Sequence, residues 1–368
     1  MPNKKVTFNP GINRRRFMQA GGSAIAICTS TSRGMAENPT KKANPWDPPT
    51  LHVYDDYGWL RGFNCVPSWG ARIEDAWWFY DSDRFREEMA LARSLHSNCI
   101  RLWIEFAPWM ARPDEVTAHF FDAVKAIDEA GMKTMPCLFN RWHSRNGWDY
   151  GGTYLDDMRH GGNWRPRVDY LKALVQPLAK DPRILIWDLC NEPQSGLGRL
   201  SAEDDKREIA WLTKAAAELR QMGVQQPITI GTMKEGNIVA FEHLVDVLCG
   251  HPYALTAKEL ASAIASLQVL RKRFSKPLLV NECMPGCLDD MKRAKVARFT
   301  SEQLSAAGFG WMSWGFMEGK AVATRPDRMT GPGIDGQGFH PWFTKEGVLR
   351  GGLQFLKETP DLQPPWEK

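Results

Sequence analysis

Two glutamates carry the first chemistry legible in this chain of 368 residues. Glu192 stands in "RILIWDLCNEP", residues 183–193, where an apolar run stops at an amide and a carboxylate and Pro193 bars the strand from continuing. Glu282 closes a second apolar run, "KPLLVNE", residues 276–282. A charge at the end of a strand that otherwise belongs inside a protein is costly unless it is paired or used. Two carboxyl groups can divide acid and base between them. One protonates a leaving oxygen and the other attacks as a nucleophile or activates water, the minimum set for glycoside hydrolysis. Polar and aromatic side chains end the other apolar runs as well: Asn64, Arg101, Glu105, Asn140, Trp142, His143, Asn191, His251, Tyr253 and Trp314. Amides and guanidinium groups hydrogen-bond hydroxyls, while Trp and Tyr offer flat apolar faces to sugar C–H groups.

These residues act together only if a fold gathers them. Apolar runs predict strands at 60–67, 98–106, 133–139, 183–190, 227–232, 244–250, 276–282 and 309–316. Helical periodicity separates them at 83–96, 116–131, 166–180, 202–223, 236–243, 256–274 and 289–308, and 347–358 closes the chain. A break is expected near Pro177 and a C-cap at Gly223. Near-continuous apolar strands alternating with amphipathic helices indicate a parallel sheet covered by helices. Eight such units predict an α/β fold of one (β/α)8 TIM barrel, whose active site lies at the C-terminal ends of its strands. A doubly wound open sheet is the alternative, but no Gly-rich fingerprint follows any strand. The loop 140–164 is too long and too rich in Gly and aromatic residues for a plain connector and is expected to wall the site. Trp69, Trp77, Trp78, Trp109, Trp142, Trp148, Trp164 and Trp342 are expected in rim loops as sugar platforms, and Trp311 in the core.

"NEP" ending strand four, "HPY" at strand six, Glu ending strand seven and Trp in strand eight make the chain resemble clan A glycoside hydrolases, in particular glycoside hydrolase family 5, over most of 58–358. The resemblance implies a retaining β-glycoside hydrolase working by double displacement. Glu192 would be the acid/base and Glu282 the nucleophile. Asn191 would bind the sugar 2-hydroxyl, Tyr253 and Arg101 would support Glu282, His251 would line the site and Trp314 would floor it. The family often carries an acidic residue and a His at the end of strand three. Here "FNRWHS" offers Asn140, Trp142 and His143 instead. The implied partner is a carbohydrate, with no cofactor, no metal, no nucleic acid and no membrane, and a monomer is expected. Two other readings stay open. One is a metal-dependent sugar isomerase or hydrolase using Glu105, Glu192, Glu282 and His251, and the other a non-catalytic carbohydrate-binding barrel.

Residues 1–36 carry six basic side chains and no acid, and without them 41 basic face 43 acidic residues. The basic character is therefore local, and nothing in the rest argues for nucleic acid. "NRRRFMQAGGSAIAICTSTSRGMA" resembles a twin-arginine export signal, so a periplasmic or extracellular location is expected. The expected division is a signal at 1–36, a linker at 37–57 and the barrel at 58–368. Beyond the signal seven cysteines remain, mostly within apolar runs, where Cys behaves as a small hydrophobe. Cys283 and Cys287 could form a disulfide or bind metal.

Overall fold

A computed structural model describes residues 53–141, 164–194, 201–321, 323–327, 332–335 and 338–367. The chain divides into two units, Met1–Asp47 and Pro48–Lys368, of which the first, with the predicted export signal, lies outside the described residues. Trp142, His143, Trp148 and most of the loop 140–164 lie outside them too.

The second unit is the expected barrel. Strands β1 (Arg61–Cys65), β2 (Cys99–Trp103), β3 (Lys133–Cys137), β4 (Trp187–Asn191), β5 (Ile228–Gly231), β6 (Leu248–Cys249), β7 (Leu278–Cys283) and β8 (Trp311–Ser313) form one eight-stranded sheet in the order β5-β4-β3-β2-β1-β8-β7-β6. Neighbouring strands pair in parallel. A parallel bridge between Thr232 and Gly250 and the Thr229 hydroxyl donating to Val247 O close the ring between β5 and β6.

The helices are α1 (Ile73–Trp78), α2 (Ser82–Arg93), α3 (Phe106–Ala111), α4 (Pro113–Glu129), α5 (Arg165–Leu174), α6 (Ala202–Gln221), α7 (Glu235–Phe241), α8 (Ala257–Phe274), α9 (Asp290–Ala306) and α10 (Phe355–Glu358). Their starts follow side-chain chemistry. Ser201 with Asp204 and Thr256 with Glu259 form capping boxes, each satisfying two backbone donors at the N-termini of α6 and α8. α5 stops at Leu174 and the chain tightens into a 3-10 turn through Pro177, which lacks the donor a continuing helix needs. Gly223 takes φ 77 after α6, the left-handed C-cap.

Two expectations need correction. The segment 347–358 is helical only over α10, because Gly347 and Gly352 take φ 77 and 75, outside any right-handed helix. Of the six described tryptophans expected in rim loops, four pack inward. Trp77 and Trp342 are fully buried, Trp69 and Trp109 nearly so, and the first two loops fold into the short helices α1 and α3. Trp77 donates to Trp103 O, so its polar edge is satisfied without reaching the mouth. Trp311 is core, as expected.

Apolar side chains form two clusters on the two sides of the strands. Leu60, Cys99, Met135, Ile186, Val247, Leu279 and Met312 fill the barrel, with Tyr57 buried among them and Tyr54, Trp59 and Trp366 packed against them. The larger cluster lies between the strands and the helices, with Phe63, Leu102, Leu189, Val280 and Leu304 among its members. The seven cysteines of the described residues are buried, and Cys283 and Cys287 do not pair with each other. Among the described residues no helix is long and apolar enough to cross a membrane.

Candidate active site

Strand alternation alone would not bring all the polar residues to the mouth, because neighbours on a strand face opposite sides. β4 and β7 both break the alternation. On β4, Asp188 faces the interior, Leu189 and Cys190 both join the outer cluster, and Asn191 faces inward again, with a register shift between Asp188 and Asn191. Glu192 then takes φ 50, left-handed backbone that keeps its carboxylate at the mouth as well. On β7 the shift falls between Val280 and Cys283, and Asn281 and Glu282 both face inward. β-Bulges re-aim side chains in this way next to reaction centres.

Arg101 on β2 organises the floor and is fully buried. Its Nε donates to Asp188 Oδ2 at 2.8 Å, Nη1 to Asn64 Oδ1 and Glu282 Oε2 at 2.8 Å each, and Nη2 to Asn191 Oδ1 at 2.8 Å. Burial works against its charge, but Asp188 and Glu282 outweigh it and raise its pKa. Asp188 in turn accepts from Asn281 Nδ2 at 3.1 Å and Gly231 N at 3.3 Å. Removing one member of a buried pair costs about 3–5 kcal/mol, so Asp188 is a structural anchor for the whole set.

Glu282 accepts from Arg101 on Oε2 and from Tyr253 Oη on Oε1, at 2.8 and 2.6 Å. Burial, reinforced by Glu282, holds the Tyr253 hydroxyl far above its ordinary pKa, so it keeps its proton. Burial also raises Glu282, with His251 and Arg101 pulling down and Glu192 pushing up. Two donors that do not release their protons make the ionised carboxylate the form this pocket accommodates.

Glu192 is held differently. His251 Nδ1 lies 2.7 Å from Glu192 Oε1, and His251 Nε2 lies 2.7 Å from Asn281 Oδ1. With Asn281 Nδ2 donating to Asp188, its Oδ1 accepts from His251 Nε2–H. A hydrogen bond from Nδ1 to the carboxylate then needs one further proton, which Glu192 and His251 share. Burial opposes charge on His251, but Glu282 and Glu192 outweigh it and the pKa is raised well above the ordinary value. Gly231 makes room for this ring, since a Cβ there would meet Nε2 at 2.5 Å. Below the loop after β4, fully buried Glu208 of α6 accepts from Gln194 N at 2.8 Å and pairs with Arg141 at 3.5 Å.

The structure thus gathers Glu192, Glu282, Asn191, Arg101, His251 and Tyr253 into one network. Asn140 joins it through Asn191 Nδ2, 3.2 Å away, and donates to Glu105 at 2.8 Å. Trp314 is half-buried beside Trp103, with ring centroids 5.2 Å apart, and Arg101 lies 4.8 Å over the Trp103 ring. Sequence reasoning passed over Asp188 and Asn281. Their signals were an acid inside the apolar run "LIWDLC" and a second "NE" at Asn281–Glu282. One ligand atom each from Glu192, His251 and Glu282 falls within 4.8 Å of the others, a grouping that also has the size of a metal site.

No family model matches the chain. A probable mannan endo-1,4-beta-mannosidase C of Aspergillus terreus is 25% identical over 184 residues, and the match spans less than half of either protein: 46% of this chain and 45% of that one. Solved structures share the fold. An exo-beta-1,4-mannosidase from Opitutaceae bacterium strain TAV5 superposes with a TM-score of 0.62 at 16% identity, over 81% of this chain and 58% of that one. A GH5_18 protein of Streptomyces cattleya in complex with GlcNAc gives 0.62 at 14% identity, over 83% and 82%. The endo-1,4-beta-D-mannanase of Thermotoga petrophila gives 0.57 at 16%, over 81% and 98%.

Proposed function

We propose that the chain is a retaining β-glycoside hydrolase of the family 5 type and that its substrates are β-1,4-linked mannosides. The observation that carries this reading is the pair of facing carboxylates with unequal partners. Glu192 shares a proton with a histidine, whereas Glu282 is held by two donors that keep theirs. Retaining enzymes place their two carboxyls about 5–5.5 Å apart, and inverting ones need about 6.5–9.5 Å to admit a water. One carboxylate oxygen of Glu192 lies within 4.8 Å of one of Glu282, a close approach that supports the retaining arrangement.

The steps follow from the partners. The Glu192–His251 pair passes its proton through Glu192 to the glycosidic oxygen as Glu282 attacks the anomeric carbon. The bond to the leaving group breaks and a glycosyl ester forms on Glu282. A water then loses a proton to Glu192 and attacks the same carbon, the ester bond breaks, and Glu282 returns as a carboxylate. Asn191 binds the sugar 2-hydroxyl in this reading, Arg101 and Tyr253 steady the nucleophile, and Trp314 lies under the reacting sugar. The mannoside choice rests on the names of the proteins this chain resembles, several of which act on β-1,4-mannose linkages. Residues 1–36 act as a twin-arginine export signal. Changing Arg14 and Arg15 to Lys strands the protein in the cytoplasm, and unchanged secretion contradicts the signal.

The Glu192–His251–Glu282 grouping keeps the metal-dependent reading as the rival. Against it, both imidazole nitrogens are already hydrogen-bonded, and Arg101 places a fixed positive charge on Glu282. Release of reducing ends from soluble β-1,4-mannan, beside β-glucan, xylan and galactan, before and after dialysis against EDTA, tests both. The expected result is release from mannan, unchanged by EDTA. Loss with EDTA favours the metal site, and binding without release favours a non-catalytic barrel.

A further inference from the structure

Arg293 is a buried cation to which the steps above give no task. It lies in α9 and is fully buried. Among the described residues its guanidinium hydrogen-bonds to backbone carbonyls and to no carboxylate. Nη1 donates to Met284 O at 3.3 Å and to Pro285 O at 2.6 Å, and Nη2 donates to His340 O at 3.1 Å. Burial, with Arg350 nearby, lowers its pKa to about 10, so it remains charged at neutral pH. A buried charge without a counter-ion is expensive, and three carbonyls offset that cost only in part.

What the cation holds explains why it is there. Met284 takes φ 72, strained backbone for a residue with a side chain, and it follows Glu282 and Cys283 directly. Arg293 ties the carbonyls of this turn, at Met284 and Pro285, to the carbonyl of His340. The buried His340 ring packs edge-on against Tyr253, with centroids 6.3 Å apart, and Tyr253 donates to Glu282. The two loops joined by Arg293 therefore support Glu282 from two sides: through its own strand and through its hydroxyl donor. Arg350 offers an internal comparison. It also ties carbonyls of the same two loops, at Pro341, Cys287 and Leu288, but farther along them, and it has a carboxylate partner in Asp290.

We propose that Arg293 is a positioning residue that clamps the strained turn after β7 to the loop after β8 and thereby sets the Glu282 carboxylate at its attacking position. This rests on the reading of Glu282 as the nucleophile. The test uses the full chain with Arg293→Lys, Arg293→Met, Arg350→Lys and Glu282→Ala. Three quantities are measured for each: Tm, kcat and KM on mannohexaose, and the rate at which 2-deoxy-2-fluoro-β-mannosyl fluoride labels Glu282. A misplacement near 1 Å can cost about 100-fold in rate, so Arg293→Met is expected to lose about that much in kcat and in labelling rate. KM should stay within about twofold, since binding of the substrate is not what the clamp controls. Arg293→Lys keeps the charge without the fork and falls between Met and the parent, and Arg350→Lys keeps the parental kcat. If Arg293→Met does not fold, Arg293→Lys decides by the same criterion. Parental kcat in the Arg293 variants overturns the proposal. So does an equal loss in Arg350→Lys at a matched fall in Tm, because the effect would then follow general stability. An active Glu282→Ala, or labelling at another residue, instead overturns the assignment of the nucleophile and leaves the clamp without a role.

Discussion

The ends of β4 and β7 each present an Asn–Glu pair at the mouth of the barrel, yet they surround the two glutamates in opposite ways. On β4 the bulge turns Leu189 and Cys190 outward together, and left-handed Glu192 follows, whereas on β7 Asn281 and Glu282 turn inward together. Glu192 faces an imidazole that can take or return a proton. Glu282 faces a guanidinium and a tyrosine that cannot. Beneath them the supports also differ in sign, with an acid, Glu208, under the loop after β4 and a cation, Arg293, under the turn after β7. Two carboxyls of the same type acquire different chemistry from their neighbours alone, and that division is what an acid/base and a nucleophile require.

The largest effect should come from breaking the β7 side. Glu282→Ala loses several orders of magnitude in kcat while still binding substrate, since the ester path has no substitute nucleophile. Binding and turnover measured together on mannohexaose check this, and a modest loss would mean that the two ends are not divided as described. Glu192→Ala should lose roughly 10²–10⁴-fold on substrates with poor leaving groups, much less on activated aryl glycosides, and recover with azide. Equal loss on both, without rescue, would make Glu192 a structural acid. His251→Gln removes one of the two bases that hold the shared proton. The proton then leaves at lower pH, so the basic limb of kcat/KM moves down, with a smaller loss of rate than for Glu192→Ala. The acid limb belongs to the other end. Glu282 must be ionised to attack, and burial raises its pKa, so kcat/KM falls as the pH drops through that raised value. His251→Gln should leave Glu282 without the imidazolium charge that lowers its pKa, and the acid limb moves up. A pH–rate profile with neither limb displaced would sever His251 from the reaction.

The fold was legible in the sequence because the strands are apolar runs ended by polar residues and helices such as α6 and α8 carry both an apolar period and their capping residues. The residues of the network at the mouth were legible for the same reason: Arg101, Asn191, Glu192, His251, Tyr253 and Glu282 all interrupt such runs. What was not legible depends on the bulges. A strict alternation puts Asn281 and Glu282 on opposite faces, so nothing in the spacing showed that both turn inward or that Asn281 connects His251 to Asp188. Asp188 itself lies inside an apolar strand, where its partner Arg101 is distant in sequence and close only once the barrel closes. The tryptophans misled because aromatic residues between strands read equally as a sugar platform and as the buried face of a short helix. For Trp77 and Trp109 the helix α1 or α3 decides it.

The claim that Glu282 attacks while Glu192 acts as acid and base is tested most directly by proton NMR of the first product formed from a β-1,4-mannooligosaccharide. Attack by Glu282 on one face, followed by water on the opposite face that the leaving group vacated, inverts the anomeric carbon twice, so the β anomer should appear first and the α anomer only as mutarotation proceeds. An α anomer appearing first would mean that water attacks in a single displacement, and the division of roles between β4 and β7 would be wrong.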